Sequence, residues 1–276
     1  MWLINREKKN PNAEMSFLEH LEVLRWHLMR ASIAIVVLAI VFFIYNDFLF
    51  DGLIFAPKSP DFWTYRMLCK LSDLLELGQA LCITKFDFKL INTDISGQFT
   101  MHMWAALVAG IVTGFPYLIW ELWRFIRPAL RDKELKNTKG VVFAVSCLFL
   151  SGVLFGYYII VPLSINFLGT YQISSQVENY ITMDSFISVV TTITLATGII
   201  FQLPVVIYFL TKLGIITPAF MRRYRRHAVV VILILSAFIT PSPDVTSQLL
   251  VALPLYLLYE VSIFVSMYVT RKQVPI

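Results

Sequence analysis

Which side chains of this 276-residue chain could converge decides what chemistry it can do. A hydrolytic or metal centre is not visible. His20, His27, His102 and His227 form no His-Glu-x-x-His pair, no Gly-x-Ser-x-Gly elbow occurs, and Cys69, Cys82 and Cys147 lack the spacing of metal ligands. The expectation is a protein that is not an enzyme and needs no cofactor. Two other kinds of chemistry remain. Glu19, Glu22 and Glu134 stand among lysines and arginines. Each alone would belong to a solvated, salt-bridged face, but carboxylates that converge offer a planar acceptor for guanidinium, which binds them bidentately. Gln202, Pro204, Gln248 and Glu260 lie within apolar runs, where a polar group is expensive unless it has a partner or a function.

Gln202 sits two residues before Pro204 in TGIIFQLPVVIY. Proline cannot donate to the carbonyl one turn earlier. The glutamine amide would satisfy that carbonyl, bond across to another helix, or offer a polar contact to a mobile partner. Glu260, close to Tyr256 and Tyr259, is expected to bond internally to a tyrosine or a helix end. In GFPYLIWELWRFIRPALRDKE, Trp120, Trp123 and Phe125 mark a membrane–water interface between Pro116 and Pro128, and the stretch ends on Glu134.

The elements that must hold these groups are apolar. The chain is 58% hydrophobic and only 15% charged, against about a quarter charged in soluble domains, so it reads as a polytopic membrane protein. Its net charge of +5 is spread over short loops and not gathered on a face that would grip nucleic acid. A crossing needs about 20 apolar residues. The runs 28–50, 99–120, 141–163 and 186–210 qualify, 228–240 reaches only about 20 Å, and 248–269 is long enough but carries Pro254 and Glu260. TPSPDVTS joins the last two runs as a tight hairpin. Six crossings put both termini on one side, and the basic residues agree: 18 lysines and arginines fall on that side and 5 on the other, which makes the termini cytoplasmic.

Residues 1–276 thus read as one integral membrane domain, with a polar segment 1–27 lacking the apolar core of a cleavable leader, six spans, and one long outer loop, 51–97. Within the loop, LCKLSDLLELGQAL has the leucine spacing of an amphipathic helix lying on the membrane or on the bundle. Cys69 and Cys82 share this loop and would form a disulfide if it faces an oxidising compartment. Cys147, in an apolar run, is expected to be a small buried hydrophobe. A secondary transporter of a small solute is the alternative reading, since it too uses proline-broken spans and intramembrane polar residues. It predicts two halves of similar pattern, and no convincing repeat is visible.

From about Phe17 to Val269 the chain resembles the TatC family, the multi-spanning receptor subunit of the twin-arginine protein translocase. The resemblance is carried in order by HLEVLRWHL, FAP, FPYLIWELWRFIRPALRDKE, GYYIIVPLSINFL, FQLPV and TPSPDVTSQLLVALPLYLLYE. It implies an all-α membrane protein of six transmembrane helices forming a concave, cup-shaped bundle, with short fifth and sixth spans crossing a locally thinned bilayer. It also implies a bacterial inner-membrane location and recognition of twin-arginine signal peptides on folded cargo. The implied partners are single-span TatA/TatB-type subunits and further copies of the chain as a homo-oligomer, with transport driven by the proton-motive force. Glu134 matches the glutamate that pairs with the signal's arginines, Phe125 and Pro116 match positions shaping that site, and Arg25 matches the N-terminal motif arginine. Pro57, Asp244 and Gln248 match polar or turn positions of the outer face and the last hairpin. Two departures stand out. Val23 occupies the place of a family glutamate, so Glu22, about 100° around the helix, or Glu19, one turn back, would take its role. Gln202 stands where the family often has glutamate, and the outer loop is long.

Overall fold

Lipid offers no hydrogen-bond partners, so a spanning chain must satisfy its backbone internally, and long apolar runs become helices. The computed structural model of the chain describes residues 17–74, 76, 82, 88–127, 140–172, 174, 179–240 and 245–273. The first helix, α1, covers Phe17–Ile44, starting well before the apolar run because its polar residues continue the same helix out of the hydrocarbon. A π-helical segment Phe48–Ile54 and a 3-10 turn Ala56–Lys58 follow, then α2 at Trp63–Leu74 and strand β1 at Lys89–Ile91. The next helix, α3, spans Gly97–Ile126.

Val141–Thr170 forms one long rod in three pieces: α4 (Val141–Phe155), a π turn (Gly156–Ile160) and α5 (Val161–Thr170). Its break has a named cause. Pro162 has no amide for the Tyr158 carbonyl, and the Thr64 hydroxyl donates to that carbonyl instead. Strand β2 (Tyr180–Thr182) leads into α6 (Met183–Ile200), which Pro204 separates from α7 (Leu203–Lys212). The short α8 (Pro218–Arg223) precedes α9 (Arg225–Ile239) and α10 (Val245–Gln273).

Among the described residues, five stretches are long and apolar enough to cross a membrane: Leu21–Ile44, Gly97–Ile126, Val141–Thr170, Met183–Lys212 and Val251–Arg271. The run expected at 228–240 is α9, 15 residues long, or about 22 Å, short of a bilayer's roughly 30 Å of hydrocarbon. Ile44, Phe143, Phe238 and Phe264 are each at least 65% exposed. Such apolar surface would aggregate in water and belongs against lipid.

Helix association in lipid relies on close contact more than on apolar burial, and small residues provide it here. A Cβ on Gly110 of α3 would lie 2.8 Å from the Ala39 amide nitrogen and the Ile35 carbonyl oxygen of α1, and one on Gly114 would meet the Ile35 and Leu38 side chains. Gly156 and Gly198 let the rod Val141–Thr170 and α6 approach in the same way; a Cβ on Gly156 would strike the Thr197 hydroxyl. Phe149, Val161 and Ile187, all fully buried, form the centre of the bundle.

The outer loop folds as a cap. Tyr65, buried on α2, donates its hydroxyl to the Pro57 carbonyl at 2.9 Å and the Pro162 carbonyl at 3.1 Å; that burial pushes its phenol pKa up. Phe62 stacks on Tyr158. Of the amphipathic helix expected from the leucines, Leu68, Leu71 and Leu74 lie on α2, and Leu75 and Leu81 lie outside the described residues. The α2 helix packs on the bundle through Tyr65 and Ser72 and turns Trp63, Met67, Leu71 and Leu74 outward. Cys69 and Cys82 are bonded. A feature unforeseen in the sequence is a two-stranded parallel pairing of Lys89–Ile91 with Tyr180–Thr182, too short to carry a pattern. Cys147 corrects an expectation: it is exposed on the outside of α4, because an apolar position in a membrane helix is as often lipid-facing as core.

Candidate functional site

The cluster richest in chemistry lies between α1 and α3, around Glu121. Glu121 is 1% exposed on the α3 face turned to α1. Tyr117 and Arg124, four residues before and three after it, share that face because such spacings stack on a helix. The Tyr117 hydroxyl donates to Glu121 Oε1 at 3.1 Å, and the Arg124 guanidinium approaches the same oxygen at 3.4 Å. From α1, His27 Nδ1 reaches Oε2 at 2.5 Å. A buried carboxylate with no partner is strongly destabilising; here donors from two helices meet it. Arg124 also lies over the Trp120 ring, 4.8 Å from its centre, a cation–π distance. The Phe125 ring sits 6.3 Å from that of His27, so one expected site residue joins this group.

Sequence reasoning passed over Glu121 and His27. The signal was present in YLIWELWR, an acid inside an apolar helix with a tyrosine and an arginine at helical spacing. Of the residues that were singled out, Glu134 and Asp244 lie outside the described residues, as does the side chain of Glu19. Glu22 and Arg25 are exposed on α1 and do not join the Glu121 cluster; Arg25 borders a shallow groove with Leu21, Leu24, Leu28, Met29 and Ser32. Pro116 is half-buried inside α3.

Deeper in the bundle is an apolar cleft of about 230 Å³, walled by α1, α3, α6, the π-helical segment Phe48–Ile54 and the rod Val141–Thr170. Phe42, Leu53, Val108 and Tyr157 are among its walls, and Thr113, Thr191 and Thr194 are its threonines. All three threonines bond back to carbonyls in their own helices, so the cleft offers an apolar lining with few demands for hydrogen bonds.

Gln202 is not part of that cleft. Its amide donates to the Val145 carbonyl of α4 at 3.3 Å, the bond across to another helix, while its carbonyl oxygen is buried without a partner among the described residues. Pro204 is buried at the first turn of α7. Gln248 donates to the Leu233 carbonyl at 2.9 Å, tying α10 to α9. Glu260 accepts from the Tyr256 hydroxyl at 3.0 Å and pairs with Arg225 at 2.7 Å, and Tyr259 donates to the Met221 carbonyl. Pro57 is buried in the cap, where its carbonyl receives Tyr65. Of the histidines, His102 is stacked on Phe43 with centroids 4.0 Å apart. No group of His, Cys, Asp and Glu able to hold a metal occurs among the described residues.

The long apolar helices and their lipid-type exposed surface define a multi-pass helical membrane protein with a buried acid and an apolar cleft inside. Comparison with known proteins gives the particular kind. Residues 19–254 match the model of the family described as Sec-independent protein translocase protein (TatC). A protein of that description from Blattabacterium sp. subsp. Periplaneta americana (strain BPLAN) is 38% identical over 266 residues, which cover 96% of this chain and 100% of that one. Sec-independent protein translocase protein TatCy from Bacillus subtilis (strain 168) is 33% identical over 259 residues, 94% of this chain and 91% of that one. A crystal structure of the twin arginine translocase receptor TatC superposes with a TM-score of 0.64 at 28% identity, covering 91% of this chain and 99% of that chain. A second, determined in DDM, gives 0.67 at 30% identity, covering 89% and 98%. The chain belongs to the TatC family of Sec-independent protein translocase proteins.

Proposed function

We propose that this protein is the receptor of a twin-arginine translocase: it recognises twin-arginine signal peptides of folded proteins at the cytoplasmic face of a bacterial inner membrane. The observation that carries the reading is the match, over about nine-tenths of both chains, to solved structures of a twin arginine translocase receptor. All six helical rods cross the bilayer as one domain, the short α9 through a locally thinned region, and both termini are cytoplasmic, in keeping with 18 basic residues on one side and 5 on the other.

The signal's arginines dock on Glu134, aided by Glu19 or Glu22 beside Arg25, with Phe125 and Pro116 shaping the approach. The apolar part of the signal follows into the concave face, where the cleft by Thr113 and Thr191 supplies an apolar wall. Gln202, whose carbonyl oxygen has no partner among the described residues, receives a donor from a single-span TatA/TatB-type subunit, with Pro204, Gln248 and Glu260 holding the neighbouring helices. The assembled homo-oligomeric complex moves cargo using the proton-motive force; the chain itself performs no catalysis and holds no cofactor. Export of a folded reporter bearing a twin-arginine signal tests the reading: Glu134→Ala is expected to abolish it at unchanged protein level, and undiminished export would sink the assignment.

A further inference from the structure

We propose that Glu121 is a second guanidinium-binding site, occupied in the resting protein by the chain's own Arg124, which an arginine of the incoming signal replaces. The idea rests on the receptor reading and extends it to a residue that reading does not use. The two edges of the Glu121 carboxylate are unlike. Oε2 faces α1 and is held at 2.5 Å by His27, which is itself mostly buried. Oε1 takes Arg124 at 3.4 Å, the long end of a hydrogen bond, from a side chain that is 45% exposed. Trp120, 43% exposed, lies beneath that guanidinium, and the Tyr117 hydroxyl completes the surround. Carboxylate edge, phenol and indole face together fit a planar, delocalised cation better than the compact ammonium of lysine.

Exchange is favourable in a way that simple vacating is not. Stripping a buried carboxylate of a cation leaves a charge without its partner, whereas swapping one guanidinium for another keeps it paired throughout. His27 holds the inner edge during the swap, so the α1 to α3 junction need not open. Arg124 competes with the ligand, and a site occupied most of the time by an internal competitor binds more weakly in proportion to that occupancy.

The test uses the full-length protein in lipid nanodiscs, titrated with a fluorescent twin-arginine signal peptide and with its twin-lysine counterpart. Arg124→Gln, an exposed change, is expected to tighten the twin-arginine peptide by about tenfold and leave the twin-lysine peptide unchanged. Adding Glu121→Gln to that variant should remove the gain. Arg127→Gln, which deletes the same charge nearby, should give none. No tightening, or equal tightening of both peptides, would overturn the proposal, since the second result means a general relief of repulsion. Glu134→Ala run alongside separates the two claims: loss of twin-arginine binding there with no gain from Arg124→Gln leaves the receptor reading standing and removes this site. An unsubstituted protein that does not prefer the twin-arginine peptide overturns both.

Discussion

His27 and Glu121 meet across 94 positions of sequence, and their bond ties α1 to α3. A hydrogen bond to a charged group is worth about 1.5–3 kcal/mol, so His27→Ala should lower stability by that order, read as an earlier unfolding transition in detergent. An unchanged transition would mean that the pair is incidental. The same bond shows what sequence reasoning could reach. Glu134 draws notice in the sequence because it closes a recognisable stretch and stands among bases, while Glu121, inside the same stretch, draws none. Its burial depends on which face of α3 meets α1, a tertiary fact that no local pattern of residues states. For Gln202 a bond across to another helix was one of three readings the sequence allowed, and its partner, the Val145 carbonyl, was not legible.

Among the elements, hydropathy located the long spans because the bilayer demands length and apolarity and little else. The helices extend beyond the apolar runs, α1 starting at Phe17 and α3 ending at Ile126, since a helix can outlast the hydrocarbon it crosses. Two details carry no local pattern: the β1–β2 pairing is too short, and at the π turn before Pro162 the freed Tyr158 carbonyl takes its donor, Thr64, from the cap. Close approach of α1 and α3 yields a graded prediction. Gly110→Ala places a methyl against backbone atoms at 2.8 Å, whereas Gly114→Ala meets side-chain atoms at 3.0 and 3.3 Å that can move. The first should cost about 1–3 kcal/mol and the second clearly less, as measured by thermal unfolding. Equal costs would argue against the packing described for this helix pair.

For the whole molecule, the cap and the basic end give the protein a direction. The Cys69–Cys82 bond spans 13 positions, and closing a loop of that size is worth about 3 kcal/mol. Replacing both cysteines by serine should therefore loosen the cap, seen as faster proteolysis within 59–88. After reduction, a membrane-impermeant maleimide added to spheroplasts should label these two cysteines, while a cysteine placed at Arg127 stays protected until the membrane is opened. Labelling of Arg127→Cys from outside would reverse the topology.

The central claim is that the protein reads paired arginines at its cytoplasmic end. It is tested most directly by photo-crosslinking a signal peptide to the protein in native membranes, with the probe beside the arginine pair. Adducts are expected within residues 115–140 and should vanish when both arginines of the peptide become lysine and when Glu134 becomes alanine. Adducts of equal yield with the twin-lysine peptide would contradict the claim.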